Sequence, residues 1–110
     1  MLKKANRLSR TQFSDSFRSG KRYHFEHLTI TYSPAALFMC AVVAGKKVAK
    51  SAVRRNALKR RVYARLAHVH KDQALTGVFI IVLKPSFNSL SRAAADEFFH
   101  KSIAGLLQST

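Results

Sequence analysis

Three features of this 110-residue chain predict an α+β fold, a single-domain α/β sandwich in the order helix, strand, strand, helix, strand, helix. Leu37 to Ala44 and Val78 to Leu83 are short, continuously apolar runs of the length a buried strand needs. Leu58, Val62, Leu66 and Val69 recur at spacings of four, four and three, and Ala95, Phe99, Ile103 and Leu106 at four, four and three, the stripes of helices packed on a sheet. No repeat, low-complexity linker or composition break divides the chain, so residues 1–110 read as one domain, and 47% apolar residues are enough for a core.

The first helix is announced by Ser9 three residues before Gln12, an S-x-x-Q capping box, with Leu8 and Phe13 placed as a hydrophobic staple. Gly20 ends it. Phe13 and Phe17, four apart, share one face, which serves either as core or as a grip on single-stranded nucleic acid beside Arg18, Lys21 and Arg22. From His27 to Tyr32 the chain alternates, with Leu28, Ile30 and Tyr32 on one side and His27, Thr29 and Thr31 on the other. Ser33-Pro34 stops this strand, and the apolar run that follows, Leu37 to Ala44, reads as a central strand expected to pair with it as an antiparallel hairpin. The long basic helix comes next, its stripe leaving Asn56, Lys59 and Arg60 mainly on the outside and Arg55 near the edge, where it is structural or outward-reaching. Val78 to Leu83, β-branched at four positions and closed by Lys84-Pro85, belongs beside the second strand. Ser89 or Ser91 caps the last helix, on which Glu97 and Lys101 form an exposed pair four apart.

Charge narrows the function. Twenty Lys and Arg against five Asp and Glu give a net charge of +15, which disfavours a free-standing small-molecule enzyme and favours a polyanionic partner. Residues 45–61 hold eight of these cations and no acid: Lys46, Lys47, Lys50, Arg54, Arg55, Lys59, Arg60 and Arg61, with Arg65 a turn further on. A merely solvated helix face alternates Glu with Lys for i,i+4 support, whereas this ridge is suited to phosphates and the release of their counterions.

Other chemistry is sparse. Asp15, Glu26, Asp72, Asp96 and Glu97 do not cluster in the sequence as carboxylates that hold a hydrolytic metal, so a catalytic residue is not expected. His68 and His70 stand two apart on a helix and cannot share a metal there, and the other histidines read as surface or rim residues. A lone Cys40 in an apolar run is a buried small side chain, in keeping with a reducing cytoplasm. The basic N-terminus lacks an apolar signal core, and no run approaches the roughly 18 residues of a membrane span, so neither export nor insertion is expected.

Lys46-Lys47, then Ala52, Val53, Arg55, Asn56, Lys59 and Arg60, together with Phe13, Phe17 and Gly20 in an F-x-x-x-F-x-x-G pattern, resemble the protein subunit of bacterial ribonuclease P. The likeness extends through most of the chain. It implies a sandwich in which the basic helix joins two parallel strands by an uncommon left-handed crossover. It further implies an accessory subunit of an RNA-based endonuclease that matures the 5′ end of precursor tRNA, inactive by itself, one copy per catalytic RNA, with Mg²⁺ held mainly by the RNA. Lys46, Lys47, Arg55, Asn56, Lys59 and Arg60 would contact the catalytic RNA, and Lys50, Arg54, Arg61 and Arg65 complete the same basic surface. The single-stranded leader would run between the first helix and the polar sheet face, over Phe13 and Phe17 and along His27, Thr29 and Thr31. Ala57, Tyr63-Ala64, Met39, Ala41 and Thr76-Gly77 depart from the family's usual residues, and Arg54 and Arg61 offer charge near the substituted Ala57. Two rivals remain: a structural RNA binder of ribosomal type, which needs no leader cleft, and an autonomous nuclease, which the scattered acids disfavour.

Overall fold

In the computed structural model, which describes residues 8–109, α1 (Arg10–Ser19) leads into β1 (Lys21–His24), β2 (Leu28–Ser33) and β3 (Phe38–Val43). There follow α2 (Ala52–Gln73), β4 (Gly77–Leu83), a 3-10 turn (Pro85–Ser89) and α3 (Arg92–Ser109). Most of the basic N-terminal segment, residues 1–7, lies outside the described residues. The capping box forms as predicted, Ser9 Oγ accepting from Gln12 N at 3.2 Å and Gln12 Oε1 from Ser9 N at 3.0 Å. Gly20 closes α1 against the sheet, since a Cβ there would stand 2.7 Å from both Ser16 O and Thr31 Cγ2.

The four strands stand in the order β1-β2-β4-β3. The expected hairpin of the second and third strands is therefore wrong: β2 pairs antiparallel with β4, and β3 pairs parallel with β4. The physical reason is burial. Gly77 to Ile81 and Leu83 are all buried, so β4, apolar on both faces, takes the centre of the sheet, while the 22-residue α2 provides the long return that a parallel pair needs. β1 was not predicted, because KRYH carries no apolar alternation and only Tyr23 turns toward the core. The central position expected for the apolar run of β3 is also corrected: β3 lies at the sheet edge, its buried apolar side chains facing α2, and Tyr63 Oη accepts the Val42 N–H at 3.0 Å and blunts the exposed edge.

Register assigns the two faces. Leu28 and Ile30 of β2, Phe38, Cys40 and Val42 of β3 and Phe79, Ile81 and Leu83 of β4 belong to the main core. Leu58, Val62, Leu66 and Val69 of α2 and Ala95, Phe99, Ile103 and Leu106 of α3 complete it, as their spacings required. Ser51 Oγ caps α2 and Ser91 Oγ caps α3, each accepting the N–H three residues on. Gly77, at φ 104°, enters β4 beneath the Tyr32 ring, where a Cβ would meet ring atoms at 2.7 Å, so both backbone and space demand glycine. The opposite face, carrying Arg22 and His24, Thr29, Thr31 and Ser33, and Val78, Ile80 and Val82, is partly covered by α1. No helix among the described residues is long and apolar enough to cross a membrane.

Candidate nucleic-acid interface

On the α1 side of the sheet the aromatic pair is in place. The Phe13 and Phe17 rings stack at 5.7 Å with 10° between their planes, both half-buried. Arg22, expected beside this pair, belongs to β1, and its guanidinium lies 4.6 Å over the Phe17 ring and donates to Phe17 O at 3.1 Å. A flat cation over an aromatic face gives a mixed platform with both stacking and phosphate-binding capacity. His24 follows on the same side of β1, its Nδ1 3.3 Å from Thr29 Oγ1. Arg22 and His24 were legible only once β1 existed, since their shared direction comes from strand alternation.

The five predicted leader residues do not all converge. Thr29 shares the α1 face with the platform, but Thr31 is 1% exposed, wedged under Gly20, and its hydroxyl has no hydrogen-bond partner. His27 sits elsewhere, in the turn before β2, where Nδ1 bonds Ser86 Oγ at 2.7 Å and the ring meets Phe98 of α3 edge-on at 4.7 Å. Alternation placed His27 with the threonines, but the strand starts only at Leu28 and the turn rotates His27 toward α3.

The predicted RNA-facing residues divide into four settings. Lys46, Lys47 and Lys50 on the approach to α2, and Asn56 and Arg60 on its outer side, are exposed, as is Val53 at 76%. Lys59 is half-buried. Arg55 turns back, its Nη1 donating to Ala49 O and Lys50 O at 2.9 Å each, so it ties the β3–α2 connection to the helix. Arg54, Arg61 and Arg65 point toward the 3-10 turn and α3: Arg54 Nε donates to Asn88 Oδ1 at 2.7 Å, and Arg65 Nε lies 3.4 Å from Asp96 Oδ1. Burial, then the charge of Arg92, holds the Arg61 pKa below its ordinary value, with Asp96 opposing the shift. Arg92 carried no sequence signal, because only the packing of α3 on α2 brings it near Arg61.

Fold and charge together define a class, a strongly basic α+β domain built on a parallel strand-helix-strand unit with an aromatic helix on the other face of its sheet. A family model described as Ribonuclease P matches residues 2–107, so the chain belongs to the ribonuclease P protein family and is a protein component of that tRNA-processing endoribonuclease. A solved Staphylococcus aureus RNase P protein mutant with defective mRNA degradation activity superposes with a TM-score of 0.83 at 18% identity, over 92% of this chain and 87% of that one. A structure of the S. aureus RNase P protein gives 0.82 at 18% identity, over 92% and 94% of the two chains, and a further one 0.75 at 18%, over 94% and 91%. These likenesses show the shared fold. No curated protein matches the sequence significantly.

Proposed function

We propose that this subunit binds the catalytic RNA of ribonuclease P through its exposed basic surface and the 5′ leader of precursor tRNA through the α1 face of the sheet. The observation that carries the reading is the Phe13-Phe17-Arg22 stack, which lies across the sheet from the face that α2 covers. Two surfaces allow one small domain to hold two RNAs. Lys46, Lys47, Lys50 and Arg60 neutralise phosphates of the catalytic RNA and release counterions, and Asn56 adds directional hydrogen bonds. Leader bases stack on the exposed parts of Phe13 and Phe17, Arg22 meets a leader phosphate, and His24 and Thr29 add polar contacts. Stacking tolerates any base, which suits an enzyme that processes many leaders.

The chain contributes binding and orientation rather than a nucleophile. The Mg²⁺ is assigned mainly to the RNA, whose phosphates are the ordinary partners of that ion, and among the described residues no three His, Cys, Asp or Glu side chains come together as an all-protein donor set. One protein per catalytic RNA suffices for these contacts. Incubating the purified chain with precursor tRNA and Mg²⁺, with and without the catalytic RNA, tests the reading. Cleavage at the 5′ end is expected only with the RNA present. Cleavage by RNA-free protein, or no effect of the protein on the RNA's cleavage of leader-bearing substrate, would overturn it.

A further inference from the structure

On the flank of α2 that faces α3, Arg61 feels the charges of three other arginines, Arg92, Arg54 and Arg65, and of one carboxylate, Asp96, which lies 3.4 Å from Arg65. Arg54, Arg61 and Arg65 stand seven and four residues apart and so share that flank. Neutral and acidic partners are few. Asn88 takes one N–H of Arg54, Asp96 lies against Arg65, and Arg61 Nη2 is buried with no hydrogen-bond partner. Each guanidinium carries five N–H donors, so the cluster holds far more donors than these acceptors use.

Burial and then the repulsion of Arg92 hold the Arg61 pKa below its ordinary value, and the single carboxylate of Asp96 offsets this only in part. The cleft that Arg61, Arg65 and Asp96 line over Phe87 and Phe99 measures about 10 Å³, room for a single water. That volume is too small for an oxyanion, so an anion bound here would lie at the mouth of the cleft, beside Arg61 and Arg65. A tetrahedral oxyanion accepts several such forks at once, which a carboxylate does less fully.

We propose that the groove between α2 and α3 binds a phosphate group of an RNA strand, held by Arg54, Arg61, Arg65 and Arg92 and separate from the outer ridge of Lys46, Lys47 and Arg60. The site deepens the RNA-binding reading above and rests on it. Asp96 competes with the phosphate for the same arginines, which makes it a brake on affinity.

Binding of the full chain to the catalytic RNA is measured across salt concentrations for Arg61→Gln, Arg92→Gln and Asp96→Asn, with Lys47→Ala/Arg60→Ala as the ridge control. Arg92→Gln and Arg61→Gln are each expected to weaken binding roughly tenfold and to lower the slope of log K against log salt by about 0.7 to 0.9. Asp96→Asn is expected to tighten binding several-fold. Arg92, exposed at the start of α3, keeps the test decisive should Arg61→Gln fail to fold. Unchanged affinity in Arg92→Gln, or weaker binding in Asp96→Asn, overturns the site. If the ridge control loses affinity while Arg92→Gln does not, the groove is refuted and the RNA-binding reading stands; if neither loses affinity, both fall. Side-chain Nε–Hε NMR signals of the four arginines then identify the source of the phosphate. Shifts with inorganic phosphate alone support a site open to free phosphate as well, shifts only with a short RNA duplex support a phosphodiester site, and no shift with either overturns the proposal.

Discussion

Replacing Phe17 by alanine separates a leader platform from a core residue, because the structure predicts different magnitudes for the two. Phe17 is half-buried, stacked on Phe13 at 5.7 Å and covered by the Arg22 guanidinium at 4.6 Å. The ring pair contributes about 0.5 to 1.5 kcal/mol and an exposed cation-π contact about 0.5 to 1 kcal/mol, so Phe17→Ala should cost about 1 to 2.5 kcal/mol of folding stability. A fully buried Phe would cost about 3 to 5 kcal/mol. For a domain of this size the smaller loss lowers the Tm by roughly 5 to 15 °C, leaving the chain folded at assay temperature. A lost stacked base costs about 1 to 3 kcal/mol, or roughly 5- to 150-fold in Kd. The reconstituted complex is therefore titrated with precursor tRNA bearing a leader and with mature tRNA, alongside thermal unfolding of the free variant. A selective loss for the leader-bearing substrate with a moderate Tm change is expected. Equal loss for both tRNAs, or a Tm fall of the size of a core truncation, refutes the platform.

The other expectations concern residues whose setting the fold altered or clarified. Thr31→Val replaces a buried hydroxyl that lacks a partner with a methyl of the same shape, so thermal unfolding should show stability unchanged or raised by up to about 1 kcal/mol; a marked loss would mean the hydroxyl is bonded. Arg55→Ala removes two charge-assisted bonds to Ala49 and Lys50 carbonyls and should destabilise the domain by about 1.5 to 3 kcal/mol in denaturant titration, whereas exposed Arg60→Ala should stay within about 0.5 kcal/mol. Lys46→Ala/Lys47→Ala/Arg60→Ala should reduce the salt slope of catalytic-RNA binding by about 2 to 2.7; an unchanged slope would leave these cations facing solvent. Gly77→Ala, at φ 104° beneath Tyr32, should lower the Tm more than Gly45→Ala, where a Cβ would meet nothing.

What the sequence by itself determined were the features governed by neighbours a few residues away. The Ser9-Gln12 box, the buried stripe from Leu58 to Val69, the closure of β4 at Lys84-Pro85 and the alternation that buried Leu28 and Ile30 are local periodicities and caps, and each stands where spacing put it. The cation-rich run was equally legible, since charge density needs no fold to be counted, and its motif carries the resemblance to the family. Tertiary structure decided which strand lies in the middle. β3 is as apolar in sequence, but β4 is the strand buried on both faces, a competition among segments 39 or more residues apart that no local window contains. It also decided which side chains share a surface: β1 pairing turned Arg22 onto Phe17, the turn before β2 took His27 away to Ser86, and the packing of α3 on α2 drew Arg92 toward Arg61. Side-chain direction at a loop or an edge strand depends on the partner it meets, and those partners are chosen only when the sheet and its two helical layers close on the core.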